Sequence, residues 1–161
     1  MTDPATATTV HDLDVARVRA ALFLYGLRGD DIDDVVQDVR LRLLEHPPSA
    51  SVTSPDAYAC AVALNLARDR HRRRQRWRRV HLRLVATTPT AYDDPDVALK
   101  QAVAEGLSRL EPDLRAALVL RYFADLTVPQ IAEITGVPDG TVKSRLHRAI
   151  TAMRDLLPPE S

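Results

Sequence analysis

Apolar residues in this chain recur every three or four positions and nowhere alternate over a useful length, a pattern typical of amphipathic helices. The spacing predicts a first helix over about residues 12–27 and a second that is capped by Asp30 or Asp31 and ends before His46. Because no strand-like segment competes with these helices, the sequence predicts an all-α fold.

The third predicted helix carries the most unusual charge in the chain. It is expected over residues 55–79, with Ser54 as its cap, and it begins apolar and becomes basic. Residues 65–83 hold nine arginines and a single acid, Asp69, although the whole chain balances 22 basic against 22 acidic residues. Such segregation predicts a stripe that faces a polyanion, with the arginines neutralising phosphate. Trp77, within the run, is expected to pack on the domain rather than stack on a base.

Residues 84–99 are predicted to be a flexible linker, since threonine, proline and aspartate interrupt the helical pattern there. The chain therefore divides into two small helical domains, residues 10–83 and residues 100–157. Further helices are expected over residues 97–110 and 112–124.

The end of the chain has the layout of a helix-turn-helix: a short helix over 126–134, the turn Thr135–Val137, and a helix over 139–157. At about 100° per residue, one face of the last helix is apolar and the other polar. The apolar face holds Val142, Leu146, Ala149, Ile150, Met153 and Leu156, and the polar face holds Lys143, Ser144, His147, Arg148 and Thr151. Two amphipathic helices with a glycine turn could equally belong to a plain bundle.

Residues 107–157 closely resemble region 4 of the extracytoplasmic-function sigma factors of the sigma-70 family. The resemblance is carried by the motifs LVLRY at 118–122, IAE at 131–133, GV at 136–137 and GTVKSRLHRA at 140–149, in family order and spacing. It implies that the helix 139–157 recognises the minus-35 promoter element. The expected DNA contacts are Thr141, Lys143, Ser144, His147 and Arg148.

Region 2 of the same family is similar to earlier segments, DDVVQD at 33–38 and AY at 57–58 with NLARD at 65–69. This resemblance implies a polymerase-binding helix with contacts from Asp34, Gln37 and Asp38. It also implies a helix over 55–79 that engages the melted minus-10 element. The expected minus-10 contacts are Tyr58, Asn65, Arg68, Asp69, Arg72 and Arg73.

The family resemblance implies partners: core RNA polymerase, through its beta-prime clamp helices and beta flap, promoter DNA, and an anti-sigma factor. It implies a non-catalytic initiation factor without a cofactor. Two other classes of protein stay open, an ordinary DNA-binding regulator and a helical adaptor. A regulator of that kind cannot support initiation by core polymerase, and an adaptor gives no sequence-specific footprint.

Several classes of site are disfavoured by composition. The single cysteine, Cys60, allows neither an internal disulfide nor a multi-thiolate metal site. The acidic run 30–38 loosely resembles a metal-binding aspartate motif, yet no second acidic cluster accompanies it, so the sequence predicts neither metal binding nor catalysis. Without a secretory signal or a membrane-length apolar run, the protein is expected to be cytoplasmic and not inserted in a membrane.

Overall fold

A computed structural model describes residues 13–48, 52–80 and 95–156. Those ranges hold seven α-helices and one π-helical turn, and they contain no strand, so the all-α prediction is confirmed. The helices are α1 (Val15–Tyr25), α2 (Gly29–Glu45), α3 (Pro55–Val80), α4 (Pro95–Ser108), α5 (Pro112–Leu118), α6 (Val128–Thr135) and α7 (Asp139–Leu156). The π-helical turn, Val119–Phe123, directly follows α5.

Helices α1 to α3 form an N-terminal unit around a shared apolar core. Val18, Leu22, Val35 and Val39 are buried there, on the stripes predicted from their spacing. The inner face of α3 is built from small residues, Ala57, Ala59, Cys60, Ala61, Ala63 and Ala67, all buried. Small side chains let α1 and α2 approach α3 closely, which fixes the direction of the long basic helix.

The caps of α2 and α3 differ in how well the sequence predicted them. The Ser54 Oγ accepts a hydrogen bond of 3.3 Å from the Ala57 N–H, so the predicted cap of α3 is confirmed. The cap predicted for α2 is wrong, because the helix begins at Gly29 and places Asp30 and Asp31 in its first turn. Carboxylates there still complement the helix dipole.

Helices α4 to α7 form a C-terminal unit. The prediction of one α-helix over 112–124 is wrong in its last turn, which is π-helical: the Ala124 N–H donates to the Val119 carbonyl at 3.0 Å, five residues back. The wider turn buries Leu120 and leaves Tyr122 exposed. Such turns insert one residue into a helix and change the direction of the chain that follows.

The two units pack against each other through side chains that bind the carboxyl ends of each other's helices. Arg115 of α5 donates to the Tyr25 carbonyl at the end of α1, at 2.6 Å. Arg17 of α1 donates to the Phe123 carbonyl at 3.3 Å, and Asn65 of α3 donates to the Ile134 carbonyl of α6 at 3.2 Å. These bonds satisfy carbonyls that a helix cannot pair internally.

The domain boundaries predicted from sequence lie partly outside the described residues. Of the predicted linker 84–99, residues 84–94 are not described, and the prediction is wrong for 95–99, because α4 begins at Pro95, where proline suits the first turn of a helix. The first residues of the domain 10–83 and the last of the domain 100–157 are likewise not described.

Candidate nucleic-acid interface

Helix α6 is fixed at both ends by local geometry, with a capping box at its start and a glycine turn at its end. The Thr127 N–H donates to the Gln130 Oε1 at 2.9 Å while the Gln130 N–H donates to the Thr127 Oγ1 at 3.4 Å, which is a complete capping box. Gly136 ends α6 with a φ of 69°, a left-handed value that glycine adopts without a Cβ clash. The chain is thereby turned into the start of α7.

Helix α7 presents the polar face that the periodicity predicted. Val142, Leu146 and Ala149 are buried against the unit, while Lys143, Ser144, His147 and Arg148 are all exposed, and Thr141 is half-buried. None of the four exposed residues forms an ion pair with another described residue. Ile150, expected on the apolar side, is 36% exposed and sits at the margin of the polar face. The exposed set lies on one side of a helix and is free to meet a groove of duplex DNA.

Arg145 holds α7 in place from the side facing away from that polar surface. Its guanidinium forms an ion pair with Asp113 of α5 at 2.8 Å, and its side chain is 17% exposed. The Arg121 guanidinium donates to the Leu126 carbonyl at 3.2 Å. Both arginines therefore bind groups within the fold.

The residues predicted for the minus-10 element come together around one cleft of about 860 Å³ between α3 and α6. Its N-terminal wall includes Tyr58, Asn65, Arg68, Asp69 and Arg73, which are five of the six predicted contacts. Its opposite wall includes Gln130, Glu133, Ile134 and Thr135 of the helix-turn-helix. The sequence placed these five on one helix, and the structure adds that the C-terminal unit faces them.

Three of the six predicted minus-10 residues are engaged by the C-terminal unit. Asn65 binds the Ile134 carbonyl, and Arg68 and Arg72 lie 3.5 and 3.6 Å from a carboxylate oxygen of Asp113. Burial at the same junction raises the pKa of Tyr25 to about 12, and its hydroxyl has no hydrogen-bond partner among the described residues.

The arginine run of α3 is divided among several tasks. Arg70 pairs with Asp38 at 2.6 Å, and Arg74 binds both oxygens of Asp31 at 2.6 and 3.1 Å. The hydrogen bonds from Arg74 lower the pKa of Asp31. Arg73 and Arg76 are exposed and make no ion pair with another described residue; the side chains of residues 78–79 are not described. The arginines open to phosphate are thus fewer than the sequence suggests.

Trp77 corrects a sequence expectation. Its side chain is 70% exposed, so the prediction that it packs on the domain is wrong. An exposed indole beside arginines offers stacking surface to an unpaired base.

The predicted polymerase contacts lie on α2, on a face directed away from the core. Asp34 and Gln37 are exposed and Asp38 is half-buried. Arg70 lies 2.6 Å from Asp38 and 4.0 Å from Asp34, so part of the acidic charge on this face is neutralised within the chain.

Sequence reasoning missed the three residues that join the units, Arg17, Asp113 and Arg115. The residues around each of them predict only that it lies in a helix, and no spacing indicates a partner up to 106 residues away. Within the described ranges, no group of three or more His, Cys, Asp or Glu residues is placed to hold a metal ion. None of the helices described there is long and apolar enough to cross a membrane.

Comparison with known families places both units. The family model "Sigma-70 region 2" matches residues 14–78, and "Sigma-70, region 4" matches residues 100–153. The chain is 36% identical over 149 residues to the ECF RNA polymerase sigma factor SigL of Mycobacterium tuberculosis, an alignment that covers 84% of this chain and 81% of SigL. It is 30% identical over 151 residues to SigE of Mycolicibacterium smegmatis, covering 85% of this chain and 56% of SigE.

Two solved structures share the fold. The sigma factor RpoE of Bartonella quintana, in complex with the anti-sigma factor NepR, aligns with a TM-score of 0.70 and 24% identity, covering 91% of this chain and 93% of RpoE. CnrH, in complex with the cytosolic domain of CnrY, aligns with a TM-score of 0.63 and 24% identity, covering 98% of this chain and 90% of CnrH.

Proposed function

This chain belongs to the extracytoplasmic-function sigma factors of the sigma-70 family, and from that membership we propose how its two units divide the recognition of a promoter. It is a transcription initiation factor that directs promoter-specific initiation by RNA polymerase through its regions 2 and 4. Region 2 corresponds to the N-terminal unit and region 4 to the C-terminal unit.

The polar face of α7 is the observation that carries the proposal for region 4. Lys143, Ser144, His147 and Arg148 project from a helix whose opposite face is buried, and the left-handed Gly136 makes the turn that leads into that helix. We propose that this face enters the major groove of the minus-35 element, with Thr141 at its amino-terminal edge. Lysine, arginine, serine and histidine offer donors to base edges and to phosphates.

For region 2, the proposed minus-10 surface is the cleft-lining face of α3 with Tyr58, Asn65, Arg68, Asp69 and Arg73, extended by Arg72. Tyr58 can stack on an unpaired base, and Asn65 can bond a base edge. The exposed Arg73 supplies phosphate contacts, which raise affinity without selecting sequence.

For polymerase docking we propose the outer face of α2, with Asp34, Gln37 and Asp38 against the clamp helices of the beta-prime subunit, and region 4 against the beta flap. The exposed acids suit a basic partner surface, and Arg70 limits how much charge the free chain carries there. An anti-sigma partner is proposed because one structural relative, RpoE, is a sigma factor bound to the anti-sigma factor NepR. We further propose that the chain is non-catalytic and works in the cytoplasm.

The competing proposal is a DNA-binding regulator that never replaces a polymerase subunit. Run-off transcription with purified core polymerase, free of any other sigma factor, across a genomic promoter library distinguishes the two. A sigma factor yields discrete start sites that depend on the added chain. Absence of chain-dependent start sites would exclude the sigma assignment for this protein.

The residue assignments are tested by substitution in region 4. Lys143→Ala or Arg148→Ala is expected to cost on the order of 1–3 kcal/mol of promoter binding where the side chain contacts a base. Where it contacts only phosphate, the variant shows a shallower dependence of affinity on salt. A matched control is Arg154→Ala, because Arg154 is exposed near the far end of the same helix. Unchanged minus-35 binding in the Lys143/Arg148 double variant contradicts the assignment.

A further inference from the structure

Asp113 links the two units at the point where the proposed minus-10 surface is covered. Its Oδ2 accepts a bond from Arg145 of its own unit at 2.8 Å, and its Oδ1 lies 3.5 Å from Arg68 and 3.6 Å from Arg72 of α3. One carboxylate therefore serves three guanidinium groups, two of which are proposed to contact DNA.

A carboxylate between two arginines has the charge and the acceptor oxygens that a phosphate would offer there. Beside it, the Asn65 amide is committed to the Ile134 carbonyl at the end of α6. On the face of α3 that would meet the minus-10 strand, Arg68 and Arg72 are thus paired and the Asn65 amide is occupied by the C-terminal unit, while Arg73 is exposed.

The polar face of α7 is not covered in this arrangement. Lys143, Ser144, His147 and Arg148 are exposed, and α7 meets the rest of the chain through its opposite side. The same structure therefore leaves the proposed minus-35 surface open while it occupies three of the six residues of the proposed minus-10 surface.

The contacts between Asp113 and α3 are imperfectly satisfied, so this part of the junction is weaker than the bond of 2.6 Å from Arg115 to the Tyr25 carbonyl. The two bonds that cross from Asp113 to α3 are longer than the bond to Arg145 within the unit. The Arg68 Nε and the Tyr25 hydroxyl are buried there without a hydrogen-bond partner among the described residues. Unpaired buried donors disfavour the closed arrangement, so a competing ligand can open it.

We propose that Asp113 is an internal competitor for DNA phosphate at Arg68 and Arg72, so that the free chain is closed to the minus-10 strand until its two units separate. The inference rests on the proposed minus-10 surface. It assigns to Asp113 a role in regulating access, and to Arg68 and Arg72 two alternative partners, one inside the chain and one on DNA.

The first test measures binding of the full-length chain, without polymerase, to a fluorescein-labelled single-stranded oligothymidylate, which probes phosphate contacts independently of promoter sequence. Asp113→Asn is expected to tighten binding about fivefold at low salt, the factor that corresponds to about 1 kcal/mol for partly exposed ion pairs. The slope of log affinity against log salt is expected to steepen by about 1.4, because two released arginines add about 0.7 each.

Three variants make that result specific. Glu111→Gln removes the same charge two residues away, from an exposed side chain that forms no cap bond, and is expected to leave the salt slope unchanged. Arg145→Gln breaks only the pair within the C-terminal unit, so it is not expected to reproduce the effect of Asp113→Asn. An equal effect of Arg145→Gln would mean that loosening of the C-terminal unit is the cause. Arg68→Gln with Arg72→Gln is expected to weaken binding and to abolish the effect of Asp113→Asn.

A second test locks the units together. Thr53 and Glu133 are exposed on opposite walls of the cleft, and the native Cys60 is fully buried. In a Thr53→Cys/Glu133→Cys chain, a bismaleimide cross-linker with a reducible disulfide is expected to abolish run-off transcription with core polymerase, and reductant is expected to restore it. Each single-cysteine chain treated with the same reagent serves as a control.

The outcomes separate the two proposals. If the Arg68/Arg72 variant binds the oligonucleotide like the unsubstituted chain, the minus-10 surface itself is wrong and the inference falls with it. If that variant binds weakly but Asp113→Asn and Glu111→Gln behave alike, the surface stands and the role of Asp113 is refuted. Full transcription by the cross-linked chain also refutes it.

Discussion

Arg115 makes the most demanding set of contacts in the molecule, and its replacement gives the sharpest test of how the units are held. Its guanidinium donates to the carbonyls of Leu107, Ser108 and Leu110 in its own unit, and of Tyr25 in the other, at 2.6 to 2.9 Å. Burial lowers the pKa of Arg115, which shows that the side chain is held at some desolvation cost for the sake of these bonds.

Arg115→Met keeps much of the length and apolar contact of the side chain and removes all four of these hydrogen bonds. Three of the four hydrogen bonds are partly buried, and the loss of each is expected to lower the free energy of unfolding by about 1 kcal/mol. Water can replace the fourth bond, to the exposed Ser108 carbonyl. The expected loss in the free energy of unfolding is therefore about 3 kcal/mol. For a chain of this size that is roughly 6 to 12 °C in Tm.

Urea denaturation followed by circular dichroism measures the change, with Arg109→Met as the matched control. Among the residues that the structure describes, Arg109 pairs only with Glu105 at 3.0 Å, and both side chains are more than half exposed, so its loss is expected to cost about 0.3–0.5 kcal/mol. If the free energies of unfolding of the two variants differ by less than about 1 kcal/mol, the conclusion that the bonds of Arg115 stabilise the fold is wrong.

Three further expectations follow from local geometry. Gly136→Ala is expected to lower the free energy of unfolding by about 1–2 kcal/mol through backbone strain alone, since a Cβ at this position meets nothing within 4 Å; Gly136→Asn should lose less, and equal losses would disprove strain as the cause. The fluorescence of Trp77, the only tryptophan, should be quenched readily by acrylamide in the free chain and less readily when single-stranded DNA is bound. If bound DNA leaves the quenching unchanged, Trp77 lies outside the DNA-binding surface. The bonds from Arg74 hold the pKa of Asp31 below its ordinary value of 3.8, so this pair stabilises the fold above that pH and its contribution disappears as the pH falls through the lowered pKa. Asp31→Asn should thus lower the free energy of unfolding by about 0.5 kcal/mol at pH 7 and not at all in strong acid, which thermal unfolding at a series of pH values can check.

The parts of the structure that depend on near neighbours were predictable from sequence. The capping box at Thr127 and Gln130 and the turn at Gly136 depend on residues within one helical turn, and the two faces of α7 follow from the helical repeat. The cap of α2 was mistaken because several aspartates in succession can each occupy that position, and the structure starts the helix one residue before them.

The contacts between the units could not be predicted, because each one joins groups that the sequence separates widely. Asn65 was predicted on α3 as a DNA contact, yet it is half-buried and the carbonyl that it binds lies 69 residues away. Asp113 belongs to the first turn of α5, where any acid suits the helix dipole, and only three-dimensional packing brings two arginines of α3 to it. Charge runs indicate that a surface is basic without indicating which of its arginines are already paired.

The π-helical turn Val119–Phe123 makes the C-terminal unit sensitive to length as well as to residue type. If the turn closed as ordinary α-helix with all its residues kept, every residue downstream would rotate by about 100° relative to α5. Helix α7 would then leave its seat against Asp113, and the Phe123 carbonyl would swing away from Arg17. An inserted residue would produce a similar rotation, so single-residue insertions in this segment should be far less tolerated than substitutions at the exposed Tyr122.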